Sequence, residues 1–98
     1  MCGIFAVFNI KGNYSRVRGI IVKMLKRIIH RGPDSTGVSH FQEGDKVHHF
    51  VCHQRLSIVD PFQGDQPFFS AEGQICGVAN GEIYNHIEVI FYALDSKY

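Results

Sequence analysis

The chain opens Met1-Cys2-Gly3-Ile4-Phe5-Ala6-Val7-Phe8. Residues 3–8 (GIFAVF) are aromatic and aliphatic and predict a buried strand. Cys2 stands immediately before that strand. It becomes the first residue if the initiator methionine is removed, which a small second residue favours. The product carries a thiol and a free α-amino group on one residue. The amine titrates near ~7.7–8.0 and a free thiol near ~8.5. The amine can therefore take the thiol's proton, directly or through one water. Cys2 is then a nucleophile with its own base. The plainer alternative is a small core residue, because free cysteine is among the most buried types.

Outward from this strand, residues 9–13 with Gly12 predict a turn. Ser15 predicts the cap of a helix running to about Ile29. Val17, Ile20, Ile21, Met24, Leu25 and Ile28 recur at i, i+3, i+4, i+7, i+8 and i+11, one apolar stripe. Gly19 weakens that helix slightly. Residues 30–37 (HRGPDSTG) end it, since Gly32 and Pro33 cannot continue it. Residues 38–41 and 47–54 predict a hairpin around Glu43-Gly44-Asp45. Residues 56–67 predict a loop, 74–79 a strand and 83–94 a second helix. The order β, α, several β, α predicts an α+β layered fold with no repeat and no linker.

Composition narrows the function. The 98 residues are 45% hydrophobic with net charge +1, which predicts a small globular core and argues against nucleic acid as a partner. Seven of the ten Lys and Arg residues fall between positions 11 and 31 with no acid among them, the pattern of a solvated helix face and, as the less common alternative, of a phosphate-binding patch. Cys2, Cys52 and Cys76 fit neither a disulfide framework nor a CxxC metal site, and suggest a reducing compartment. His48, His49, Cys52 and His53 raise the idea of a metal or small redox protein. His48 and His49 would point to opposite faces of a strand, however, and there is no HExxH spacing, so no metal is expected. The apolar start is too short for a membrane span and lacks a basic segment before it. A soluble cytoplasmic protein with no membrane partner is expected.

Two motifs carry chemistry. In Asn80-Gly81-Glu82 the asparagine carboxamide and the next backbone N–H can converge on one point after a strand. Two such donors suit an oxyanion formed by attack on an amide carbonyl. Glu82 adds a negative charge for an ammonium group. The plain alternative is an Asn-Gly turn. Arg55, at the end of the strand from Val47, can grip a carboxylate with two parallel hydrogen bonds. The alternative there is a surface arginine. Leu56, Ser57, Ile58 and Val59 follow, and their backbone groups can line the same pocket. A cation, an anion and an oxyanion hole beside a nucleophile fit an amino acid with an amide side chain, and glutamine is one.

Five stretches then carry a resemblance: Met1-Cys2-Gly3-Ile4, Arg31-Gly32-Pro33-Asp34-Ser35-Thr36-Gly37, His53-Gln54-Arg55-Leu56-Ser57-Ile58-Val59-Asp60, Gly64-Asp65-Gln66-Pro67 and Asn80-Gly81-Glu82-Ile83-Tyr84-Asn85-His86. In this order they resemble the glutaminase half of glutamine-dependent asparagine synthetase, a class II (N-terminal nucleophile) glutamine amidotransferase. Relatives acting on sugar phosphates share the first Cys-Gly-Ile but lack the RLSIVD run.

The resemblance implies an N-terminal nucleophile hydrolase fold, a four-layer α/β/β/α sandwich, with about the first half of that domain in residues 1–98. It implies that Cys2 attacks the glutamine side-chain carbonyl through a γ-glutamyl thioester, and that Asn80 and the Gly81 N–H hold the oxyanion. Arg55 would bind the α-carboxylate and Glu82 the α-amino group, with Leu56 to Val59 in the pocket wall. The glutaminase half needs no cofactor. ATP and Mg belong to a C-terminal synthetase domain, absent from these residues, that takes the ammonia to make asparagine from aspartate. The full-length form is left open as a homodimer.

The chain departs from the pattern in two ways. A family aspartate in a Gly-Ser-Asp-type segment, which also holds the substrate amino group, lies beyond residue 98, and Asp95 is in the wrong context for it. Residues 87–92 (IEVIFY) are more apolar than usual. The competing expectation is a truncated, catalytically inactive homologue that at most binds glutamine or a partner chain.

Overall fold

The computed structural model describes residues 1–57 and 62–96. The elements run β1 (Gly3–Lys11), α1 (Tyr14–Arg27), one 3-10 turn (Ile29–Arg31), β2 (Ser35–Glu43), β3 (Val47–Arg55), β4 (Phe68–Phe69), β5 (Cys76–Gly77) and α2 (His86–Asp95). An antiparallel sheet has the order β1-β3-β2, and β4 pairs with β5 in a separate hairpin. The mixture of two helices with antiparallel sheets agrees with the expected α+β class.

Side-chain alternation decides what each sheet face meets. Phe5 and Val7 of β1 lie opposite Cys52 and Phe50 of β3. These four point to the face that α1 covers. The helix presents Val17, Ile21 and Leu25, all buried, and together with Phe50 and Cys52 they form the core, with Phe5, Val7, Ile10 and Ile28 packed around it. The predicted stripe is therefore real but narrower than expected, since Ile20 is half-buried and Met24 exposed. A three-stranded sheet covers only one side of the helix.

Several boundaries differ from the sequence reading. Residues 9–13 are not simply a turn: β1 continues to Lys11 across a bulge between Val7 and Ile10. Asn9 takes φ 58 there, a left-handed conformation that asparagine tolerates. The helix cap is Asn13, whose Oδ1 accepts the Ser15 N–H at 2.9 Å, and not Ser15 itself. Strand β2 begins at Ser35, inside the stretch read as a break. The predicted strand over 74–79 shrinks to Cys76–Gly77, and its partner β4 falls on residues with no predicted element. Helix α2 starts at His86 and buries none of its residues.

The second face of the sheet is partly covered by residues 62–80. Phe69 sits 6.4 Å, centroid to centroid, from Phe41. Gly37 touches the Gln66 backbone so closely that an added Cβ would overlap the Gln66 carbonyl oxygen and lie 2.9 Å from Pro67 Cδ. Space, not backbone angle, requires glycine here. Gly37→Ala is expected to lift this loop off the sheet and cost about 1–3 kcal/mol, as overpacking does. Urea unfolding checks it; an unchanged midpoint would mean the loop is not seated there. Beyond the loop's reach the same face leaves Phe8 64% exposed.

Candidate active site

The register of the sheet brings the nucleophile candidate to the arginine candidate. Gly3 pairs with Gln54, and one step further along both strands faces Cys2 toward Arg55. Gly37 pairs with His53 and Ser35 with Arg55. By the period of two, Cys2, Arg55 and Ser35 form one cross-strand row on the face away from α1, and Ile4, His53 and Gly37 form the next.

Cys2 is half-buried and held by backbone. Its Sγ accepts the Leu56 N–H at 3.4 Å and lies 3.7 Å from the Leu56 carbonyl oxygen. Its carbonyl oxygen accepts from Arg31 Nε at 3.2 Å and from the Asn80 carboxamide Nδ2 at 3.2 Å. Asn80 therefore reaches Cys2 across 78 positions of sequence. The sequence reading set Asn80 directly at a strand end, whereas β5 ends at Gly77. Side chains hold this segment instead of a strand partner. The Ala79 N–H donates to Gln66 Oε1 at 2.7 Å, and the Ala79 carbonyl lies 3.2 Å from His53 Nε2.

Around these groups lies an open cleft of about 520 Å³. Cys2, Arg55, Leu56, Ser57, Asn80, Gly81 and Glu82 all line it, so every described site candidate meets in one place. Ile58 and Val59 lie outside the described residues. Arg55 is not idle in the cleft wall. Its Nη1 donates to Asp65 Oδ1 at 3.1 Å, and its Nη2 donates to the Gln63 carbonyl. Asp65 also accepts from Ser35 Oγ at 3.1 Å.

The stretch 31–37 proves to be a brace under this cleft. Gly32 is buried against the Gln54–Arg55 backbone, and a Cβ there would meet the Arg55 carbonyl carbon at 2.5 Å. Asp34 Oδ2 accepts the Ser57 N–H at 2.7 Å, and the Asp34 N–H donates to the Arg55 carbonyl at 2.9 Å. These bonds hold the chain where it leaves β3. The sequence assigns no part in the cleft to Asp34, Asp65, Gln66 or His53, although all four lie within the quoted motifs. A polar loop residue shows its role only through the atom it bonds.

The titrating groups differ in character. Burial pushes the Cys52 thiol up to about 11, so it stays protonated and inert at neutral pH. Burial also lowers the pKa of His53, and the nearby Arg55 charge adds to this against the opposing hydrogen bond to Ala79. His53 is 1% exposed, and its Nδ1 has no hydrogen-bond partner among the described residues. His40 is likewise lowered, by burial first and then by the charges of His48 and His49; its Nε2 lies 3.0 Å from His48 Nδ1. His48 is buried toward the helix while its neighbour His49 is half-buried beside Phe8 on the other face. Among the described residues, no group of three or more His, Cys, Asp or Glu side chains could hold a metal. No helix among them is long and apolar enough to cross a membrane.

Comparison with known proteins finds relatives along nearly the whole chain. The chain is 44% identical over 89 residues to the glutamine-hydrolysing asparagine synthetase of Triphysaria versicolor, covering 91% of this chain and 14% of that protein. It is 45% identical over 89 residues to the nodule asparagine synthetase of Pisum sativum, again 91% of this chain and 14% of the relative. Against the glutamine-hydrolysing asparagine synthetase of Asparagus officinalis it is 42% identical over 98 residues, all of this chain and 16% of that one. The chain thus spans about a seventh of the length of these relatives. No solved structure matches it. The Glutamine amidotransferase domain family matches residues 1–94, and the chain belongs to that family.

Proposed function

We propose that this chain carries the glutamine-hydrolysing site of a class II amidotransferase, acting on L-glutamine through Cys2. The supporting observation is the meeting of Cys2, Arg55, Asn80, Gly81 and Glu82 around one cleft. With Met1 removed, the Cys2 amine takes the thiol proton and the thiolate attacks the side-chain amide carbon. Asn80 Nδ2 and the Gly81 N–H receive the oxyanion. Collapse expels ammonia, which leaves with the proton the amine had stored. Water then attacks the γ-glutamyl thioester, the amine taking its proton, and glutamate departs as the thiol re-forms. Arg55 binds the α-carboxylate, exchanging one of its Asp65 or Gln63 contacts for it. Glu82 receives the α-ammonium group, and Leu56 and Ser57, continuing into Ile58 and Val59, wall the pocket.

The larger setting belongs to the same proposal. Residues 1–98 form part of a glutamine amidotransferase domain with an α/β/β/α sandwich, in a cytoplasmic protein. The ammonia passes to a synthetase portion that converts aspartate to asparagine with ATP and Mg. The glutaminase step draws on neither.

One observation favours a second reading for the chain in isolation, that it binds glutamine or a partner without turnover. Large apolar side chains of α2, Phe91 and Tyr92 among them, are exposed, as is Phe8 on the sheet. Glutamate release by the purified chain separates the readings.

A diazo-ketone analogue of glutamine tests the nucleophile. It is expected to alkylate Cys2 and to spare Cys52, which burial keeps protonated, and Cys76. Peptide mapping reads the result. A label mainly on Cys52 or Cys76 would overturn the assignment.

A further inference from the structure

We propose that His53 is the positioning residue of the oxyanion hole, setting where Asn80 and Gly81 stand relative to Cys2. This rests on the reading of Asn80 and Gly81 as oxyanion donors. Residues 78–82 have no regular secondary structure, and 79–82 are exposed. A segment of this kind keeps a donor in place only through its anchors. Ala79, the residue just before Asn80, is gripped at both peptide groups by side chains: its N–H by Gln66 at 2.7 Å and its carbonyl by His53 at 3.2 Å. The two anchors differ in setting. Gln66 comes from a surface loop. His53 sits on β3, the central strand, with 1% of its surface exposed, and pairs there with Ile4 of β1 and Gly37 of β2.

The chemistry of the ring makes the contact directional. The Ala79 carbonyl can only accept, so Nε2 carries the proton and Nδ1 a lone pair. That lone pair is buried and has no partner among the described residues. A buried polar atom without a partner is costly, so its presence asks what the rest of the side chain does. Here Nε2 is the used end, and the orphaned Nδ1 locks the neutral tautomer, since a second proton would be buried with nothing to receive it. The central sheet thereby reaches through one imidazole to the loop that bears the oxyanion donors, two residues along β3 from Arg55.

The variants differ in reach. Asparagine at position 53 carries an amide N–H too short for Ala79, while glutamine carries one about as far out as Nε2. In the full-length protein, His53→Asn is expected to lower kcat for glutamine hydrolysis about 10–100-fold, the effect of misplacing a reacting group by about an ångström. KM should stay within about twofold, because Arg55 and Glu82 still hold the substrate. His53→Gln should recover at least about fivefold of the loss. In an Asn80→Ala background, His53→Asn should slow hydrolysis no further than about threefold, since one of the two donors it positions is gone and only the Gly81 N–H is left to misplace. A wild-type kcat in H53N beside a slow N80A overturns this inference alone. So does a multiplicative double variant, or H53Q as slow as H53N. If N80A itself is unimpaired, the oxyanion reading fails and this inference with it. Should H53N not fold, a folded H53Q with kcat reduced as far as N80A, or one with wild-type kcat, overturns the inference, and a smaller kcat loss in H53Q that shrinks in the N80A background supports it.

Discussion

Cys2→Ala is expected to abolish glutamine hydrolysis, lowering kcat by on the order of 10⁴-fold or more, the scale seen when a covalent nucleophile is removed. No other described thiol can substitute. Cys52 is buried in the core with its thiol held up near 11. Cys76 lies on β5, outside the lining of the cleft. The substitution removes one sulfur and its contacts with the Leu56 backbone, so the fold should tolerate it. In a complete synthetase, synthesis from added ammonia should persist, because that step bypasses Cys2. The assay is glutamate release beside ammonia-dependent product formation. Residual hydrolysis within tenfold of wild type would mean that the nucleophile lies elsewhere.

Asn80→Ala is the second large effect, an expected fall of roughly 10²–10³-fold in kcat, the usual cost of one oxyanion donor. The carboxamide has a structural task too, since Nδ2 donates to the Cys2 carbonyl at 3.2 Å. That bond is between an exposed donor and a backbone acceptor, and its loss alone is worth about 1 kcal/mol of stability. The two roles separate in the data. A structural loss lowers the unfolding midpoint and leaves kcat in the folded fraction alone. An oxyanion loss lowers kcat at every temperature below unfolding and spares KM. A folded N80A protein with wild-type kcat would reduce Asn80-Gly81 to a plain turn.

Much of the site was legible residue by residue. Cys2 stood out by position, Arg55 by its place at a strand end, and Asn80-Gly81 by the pairing of a carboxamide with a flexible backbone. What the residues did not disclose was the support beneath them. Asp34 lies in a stretch that reads only as a helix break, yet it ties down the Ser57 N–H. Asp65 and Gln66 read as loop, yet they bond Arg55 and Ala79. His53 reads as one of several histidines considered for a metal, yet it anchors the loop before Asn80. Side chains of these types are at home in any polar loop, and only the identity of the bonded atom distinguishes them.

The sequence by itself determined the local elements with strong periodicity. The i, i+4, i+8 run of Val17, Ile21 and Leu25 specifies a helix with one buried face, and residues 3–8 specify a strand. Both follow from the geometry of a single segment and its need to bury apolar surface. The tertiary structure alone decided which residues share the cleft. Cys2 meets Leu56 and Asn80 across separations of 54 and 78 positions. Those meetings depend on the antiparallel register of β1 with β3 and on the two side-chain bonds that hold Ala79. It also decided the extent of β4 and β5, since a two-residue pairing has too short a period to announce itself. Register and loop anchoring are set by contacts between distant segments, and no local pattern carries them.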